Sequence, residues 1–474
     1  MKAAGTLVLW ALLATSGPAQ GAGRAPYGGS LRVPIDEAAK IALTDPHVST
    51  TASQRVVAAL VHCRLFSVSS AGRVAGELAT DARLVDGVWS VTLVRGARFH
   101  NGQEVTSGDV AASLRRARSL GDSSRAGLVG SMMRVRADGK HRLLIELPQG
   151  VPKGTLQRML ARPELSILAR GEPAKGGGCG AFRPAQRSSA KDVLLKAFGG
   201  HAQGRPRLDR VTLSVTAGAQ TQVERFVFDR VDVSFEPSYR FPKTTSQLTL
   251  GTRSTLFLTL HPAWAAGRNS GVRRALWQLT TAAPLARYLP WEVTPARSPW
   301  PRQLAPSAAQ MPTPTRLPRL DDVGTIIIAY PRGDRALADL ARVIRDRLAA
   351  SSSGGARVRE VEGLKVASAR RTPEAMAGLP AGQEPPWHVG VAIHDWAALD
   401  REQAAWEASH VLGAFGLSPQ EAMLGNYRGW AARVIDQTRL VPLVHLRRSV
   451  YHRGMFHLVP GTGMVRFDDS YKRP

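Results

Sequence analysis

The side chains best able to do chemistry in this 474-residue chain are few and scattered. Gly176-Gly177-Gly178-Cys179-Gly180 sets a thiol in a glycine-rich turn, a setting that looks nucleophilic. A reactive thiolate needs a neighbouring base and an electropositive surround, and the sequence places neither beside it. The other cysteine, Cys63, also stands alone, so neither has the spacing of a zinc ligand set. His445, His452 and His457 lie close together, but their intervals do not put them on one helical face, and they read as satisfied surface side chains. There is no G-x-S-x-G elbow, no H-E-x-x-H and no phosphate-binding glycine loop. The residues therefore point away from an enzyme, and no cofactor or metal is expected.

Composition narrows the partners. A net charge of +26 and a pI near 11.2 can signal nucleic acid, anionic lipid or an acidic ligand. The basic residues are mostly Arg and dispersed, in pairs such as Arg115-Arg116, Arg273-Arg274, Arg370-Arg371 and Arg447-Arg448. No basic stripe is interleaved with aromatics, so no nucleic-acid partner is expected. At the amino terminus Lys2, the apolar run Leu7–Ala14 and the small residues Ser16-Gly17-Pro18-Ala19 read as a cleavable signal peptide over residues 1–22. No later segment approaches the roughly eighteen apolar residues of a membrane span. The first cysteine lies far from this leader, leaving no residue for a lipid anchor, and a periplasmic location follows. Cys63 and Cys179 either pair in that oxidising space or lie as two separate buried thiols; the sequence leaves both open.

The elements around these residues are easier to read. In the stretch Leu78–Arg118, Asp86-Gly87 makes a turn and Val88–Val94 alternates, with Trp89, Val91 and Leu93 on one face. Asn101-Gly102 marks a second turn. Thr106 stands three residues before Asp109, a capping-box spacing that opens a helix with Val110, Leu114 and Ala117 on its apolar side. Gly28–Val33 predicts an edge-like strand and Ser53–Leu60 a helix. Between Trp291 and Leu320 seven prolines predict a solvated connector, and Thr372–Pro386 a second loop. Thr325–Tyr330 reads as a buried strand, Leu337, Leu340, Ile344 and Leu348 as one helical stripe, and Val358–Val361 as the next strand.

Arg95-Gly96-x-x-Phe99-His100-Asn101-Gly102-x-x-Val105-Thr106-x-x-Asp109-Val110 resembles the signature of the bacterial extracellular solute-binding proteins of family 5, which capture oligopeptides and dipeptides for ABC importers. Other segments resemble the family in the same order. They are Gly28-Gly29-x-Leu31-Arg32-Val33, Asp45-Pro46-His47, Gly177–Phe182, Gly204-Arg205-Pro206-x-Leu208-Asp209, Val231-Asp232-Val233, Val272–Leu276 and the closing Arg439–His445 and Arg466–Asp468.

The resemblance implies an α/β, bilobal periplasmic-binding-protein-like fold (type II, cluster C) with an extra subdomain on the first lobe. Lobe I is expected from residues 23–50, 176–250 and 437–474, its extension from 51–175, and lobe II from 251–436. It implies a non-enzymatic component of an ABC importer, with a peptide or other small solute and an inner-membrane permease as partners, and a monomeric state. A peptide is held by strand-like main-chain hydrogen bonds and by a carboxylate on its terminal ammonium. The family's "W-x-x-D-Y-x-D-P"-like stretch maps onto Ala392-Ile393-His394-Asp395-Trp396, which makes Asp395 the candidate anchor. His394, Trp396 and Trp387 are the candidate pocket residues beside it. The leading Trp is Ala392 here and the Asp-Pro is absent. That departure keeps other solutes open, such as an oligosaccharide or a nickel chelate, as well as an exported regulatory or envelope protein that keeps the fold without transport.

Overall fold

The computed structural model describes residues 26–49, 52–120, 133–147, 153–170, 178–185, 192–238, 240–261, 264–281, 285–301, 304, 323–330, 335–350, 358–362, 385–395, 440–460 and 464–473. The leader, most of the two expected connectors and Trp396 lie outside these residues.

The expected edge strand is β1 (Ser30–Ile35), followed by α1 (Ala52–Val61). An inserted run comes next: β2 (Phe66–Val68), β3 (Val74–Gly76), β4 (Ala79–Val85), β5 (Val88–Leu93), α2 (Ser107–Ser119), β6 (Arg134–Ala137), β7 (Arg142–Glu146) and α3 (Lys153–Met159). Here the local signals act as read. Asp86 and Gly87, at φ 48 and 78, form the hairpin turn between β4 and β5, since two left-handed residues match the strand twist. The Thr106 hydroxyl and the Asp109 carboxylate cap each other's backbone N–H groups at the start of α2. Trp89, Val91, Leu93, Val110, Leu114 and Ala117 all enter one core.

The chain then returns through β8 (Phe182–Pro184), β9 (Asp192–Ala197) and β10 (Arg210–Val215), completing a sheet in the order β1-β10-β9-β8 with β1 and β10 parallel. After α4 (Ala219–Val227), the short β11 (Val233–Ser234) is tied back to β1. Asp232 accepts from the backbone N–H, Nε and Nη2 of Arg32 at 2.7, 3.1 and 2.6 Å. Two of the family-like segments thus hold each other through one buried carboxylate.

The second body comprises β12 (Thr245–Leu260), α5 (Ser270–Thr281), β13 (Glu292–Pro295), β14 (Ile326–Tyr330), α6 (Arg335–Ala350), β15 (Val358–Glu362), β16 (Val389–Asp395) and β17 (Leu440–Arg453). Its sheet runs β11-β17-β12-β16-β14-β15, with β13 paired to β17. The stripe of Leu337, Leu340, Ile344 and Leu348 on α6 is buried with Ile326 and Ile328 of β14. A hairpin of β18 (Phe456–Pro460) and β19 (Val465–Lys472) returns Phe456 and Phe467 to the first core.

Three cores result. The first holds Leu31, Val33, Leu213 and Phe467, and also Val57, Leu60 and Val61 of α1. The inserted core runs from Cys63 to Cys179. The third lies under α5 and α6. Cys63 and Cys179, at opposite ends of the insertion, form a disulfide with a Cα–Cα distance of 5.0 Å, which decides the alternative left open by sequence. The glycines beside Cys179 serve close packing. A Cβ on Gly180 would stand 2.6 Å from Leu60 O, and one on Gly178 would strike Val61 O. The turn therefore wedges against the end of α1, and its thiol is already bonded.

Candidate functional site

Strands β12 and β17 are long enough to serve two bodies. Leu248 and Leu250 of β12 and Val450 of β17 pack in or against the first core, while Leu256 and Leu446 belong to the third. Between these anchor points the ladder is irregular, with register shifts between Thr249 and Gly251 and between Thr252 and Ser254. Gly251 adopts φ 89, a left-handed conformation that suits glycine. Bulges bend a strand locally, so the bending is concentrated where the chain crosses from one body to the other. The parallel strands β14, β15 and β16 end at Tyr330, Glu362 and Asp395. The carboxyl ends of parallel strands are where open α/β sheets gather ligands.

Register brings three strands together at this point. Asp395 of β16 lies directly across from Ser254 of β12, and Ser254 lies across from Leu446 of β17. Arg448, two residues further along β17, donates from Nε to Ser254 Oγ at 3.0 Å. Its guanidinium carbon sits 4.9 Å from the centroid of the Trp291 ring, a cation–π distance. The adjacent Arg447 points to solvent and pairs with Glu292 at 3.1 Å.

In the next row His394 lies across from Thr255, and Thr255 across from His445. The Thr255 hydroxyl and His445 Nδ1 are 3.0 Å apart. Burial lowers the His445 pKa to about 4, so the ring is neutral at neutral pH. His452 is buried as well, its Nδ1 3.0 Å from Arg453 O. The expectation of surface histidines is therefore corrected for these two, because β17 runs through both cores. Tyr451 is pushed up by burial and, to a lesser degree, by Glu236 and Glu292.

The candidate residues from sequence fall in different places. For Asp395 and His394 the strand position is described, at the carboxyl end of β16 beside the crossing. Trp396 lies outside the described residues. Trp387 is buried, edge-on to His261 with ring centroids 4.7 Å apart, in a cluster with Ile327, Ala329 and Ala392. Ala392 lies across from Phe257, itself fully buried. Sequence reading missed Ser254, Trp291 and Arg448. The only signal for Arg448 was a charged pair, Arg447-Arg448, interrupting an apolar strand, and that pair reads equally well as part of the dispersed positive charge. Among the described residues no three His, Cys, Asp or Glu side chains group as metal ligands. No helix among them is long and apolar enough to cross a membrane.

Solved structures share this architecture. The dipeptide-binding protein of Pseudoalteromonas sp. SM9913 with Met-Leu has a TM-score of 0.73 at 16% identity, covering 94% of this chain and 100% of that one. The oligopeptide-binding protein AppA of Bacillus subtilis with a nonapeptide has 0.71 at 15%, covering 95% and 100%. The binding protein AgaA of A. tumefaciens R10 with agropinic acid has 0.74 at 17%, covering 94% and 99%. At these identities the likeness is one of fold, a mixed α/β bilobal binding-protein fold. The uncharacterized protein YhjP of Bacillus subtilis (strain 168) is 34% identical over 123 residues, which span 26% of this chain and only 21% of that protein. Residues 73–321, more than half of the chain, match the family described as bacterial extracellular solute-binding proteins, family 5 middle. With its two bodies, its crossing strands and this match, the chain belongs to the bacterial extracellular solute-binding proteins of family 5.

Proposed function

We propose that this protein is the solute-capturing component of an ABC-type importer, holding a peptide or similar small solute between its two bodies. The observation that carries this reading is the crossing. Two separate cores are linked through β12 and β17, their bends lie at Gly251–Ser254, and Asp395 ends its strand at the same level. A hinge of that kind lets the bodies close on a ligand and present a closed surface to a permease. Asp395 takes the terminal ammonium, and His394 and Trp396 shape the pocket around it; Trp387, expected there from sequence, packs instead in the core before the opposite end of β16. Peptide-bound neighbours of the same fold support a peptide, and the agropinic acid complex keeps a non-peptide solute as the second reading.

In this reading lobe I comprises residues 23–50, 176–250 and 437–474 together with α1, which packs in its core, the extension is the rest of 51–175, and lobe II is 251–436. The protein works as a monomer in the periplasm after removal of residues 1–22, with a permease of the inner membrane as partner, and it catalyses no reaction. Mass spectrometry of the solute released from purified protein tests the assignment. A peptide in the released fraction is expected, and a cleft that stays empty against a peptide library would overturn it.

A further inference from the structure

We infer that the outer face of the first sheet docks on an anionic phospholipid surface through Arg183, Lys196 and Arg210. These residues are scattered in sequence, and the register of the sheet collects them. Arg210 of β10 lies directly across from Lys196 of β9, and Lys196 lies across from Arg183 of β8. Direct ladder partners point to the same side of a sheet, on strands about 4.8 Å apart, so the three cations form one row. All three are exposed, whereas their strand neighbours Val211, Leu195 and Phe182 turn inward to the first core.

Two observations set this row apart from the dispersed positive charge. Like charges directly opposite one another destabilise a sheet, yet no ion pair among the described residues involves any of the three. Asp209, beside Arg210 in sequence, is engaged by Arg205. By contrast Arg32, across from Thr212 in the next row, is tied to Asp232 and Asp229. The second observation is an aromatic edge. Ser30 extends the row onto β1, and just before it Tyr27 is 64% exposed, with the guanidinium carbons of Arg205 and Arg207 5.5 and 5.6 Å from its ring centroid. Lys472 stands against Gly29 between them. A tyrosine, with an apolar body and a polar tip, suits a membrane interface, and a guanidinium fork suits phosphate oxygens. Single-stranded nucleic acid also carries phosphates, but its bases need free aromatic faces for stacking, and Tyr27 is already met by cations.

Co-sedimentation of the purified full chain with vesicles tests this. At low ionic strength the protein is expected to bind vesicles of equimolar phosphatidylglycerol and phosphatidylcholine about tenfold or more tighter than phosphatidylcholine alone. Release is expected in about 0.5 M salt, where screening acts within about 4 Å. The variant R183Q/K196Q/R210Q is expected to lose about a hundredfold in affinity, from about fivefold for each basic residue held at an anionic surface. The variant R73Q/R95Q/R136Q removes the same charge from exposed positions on the inserted body and is expected to lose less than about fivefold. If R183Q/K196Q/R210Q fails to fold, Lys196→Gln alone carries the test, with about a fivefold loss expected and none for Arg73→Gln. Equal losses in the patch variant and its control would assign binding to net charge and overturn the inference. Equal affinity for the two kinds of vesicle would do the same. An oligothymidylate that binds while the anionic vesicles do not would point to nucleic acid and also overturn it.

Discussion

Acid should unfold this protein through histidines that cannot be protonated in place. His47 and His62 are completely buried. His47 Nε2 lies 2.9 Å from Ser166 O and Nδ1 2.7 Å from Arg116 Nη1, so the neutral ring donates to the carbonyl and accepts from the guanidinium. A second proton would have to sit between the ring and that cation. His62 Nε2 lies 3.0 Å from Ala42 O, and its Nδ1 is buried without a hydrogen-bond partner. Burial is the main cause of the shift in both. It is aided by Arg116 at His47 and by His100 at His62, and the values fall from 6.5 to about 4 and about 3. The folded pKa values lie below the unfolded one. Stability is therefore full above about pH 7 and is lost as pH falls through 6.5, where the unfolded chain takes up protons that the folded chain refuses. Linkage between pH 7 and pH 5 gives about 2 kcal/mol for each ring, so about 4 kcal/mol for the pair. His100 and His445, each lowered to about 4 by burial, act in the same direction. A domain has only about 5–15 kcal/mol of stability, so the effect is large. Urea unfolding midpoints measured from pH 8 to pH 5 should fall steeply below pH 6.5, and the double variant H47Q/H62Q should flatten the curve. An unchanged midpoint from pH 7 to pH 5, or an unchanged slope in the double variant, would refute the argument.

Three further outcomes are expected. The Cys63–Cys179 bond closes a loop with a sequence separation of 116, and the chain-entropy account assigns about 5 kcal/mol to such a constraint. Urea unfolding with and without reductant should show most of that difference, and a loss under about 1 kcal/mol would contradict it. Arg162 and Glu164 face each other at 3.6 Å in the interior, and their side-chain nitrogens and oxygens lack hydrogen-bond partners. Replacing Arg162 alone with Leu should cost about 3–5 kcal/mol, whereas the double change R162M/E164L should be neutral or stabilising. Equal losses in the single and double variants would contradict the ion-pair account. Asp395→Ala should weaken peptide binding tenfold or more, equivalent to about 1.4 kcal/mol or more. Unchanged affinity by calorimetry would remove Asp395 as the anchor.

Local sequence determined the parts whose physics is local. The turn at Asp86-Gly87, the Thr106–Asp109 cap, the alternation of β5 and the stripe of α6 depend on contacts within a few residues, and each formed as its pattern requires. The order of motifs was enough to identify the family. Other features depended on residues far apart in the chain. Glycines at 178 and 180 resembled a nucleophile turn until α1 was found pressed against them. Cys63 and Cys179 were two lone thiols until the insertion folded back on itself and brought its ends together. His445 and His452 looked like surface residues because alternation cannot tell a strand with one wet face from one that threads two cores. The candidate site, where Arg448 bonds Ser254 and the Asp395 position lies across the ladder from Ser254, was the least legible. Its members come from three strands separated by more than fifty residues each. Only sheet register, set by burial of the flanking apolar rows, decides which side chains stand across from one another.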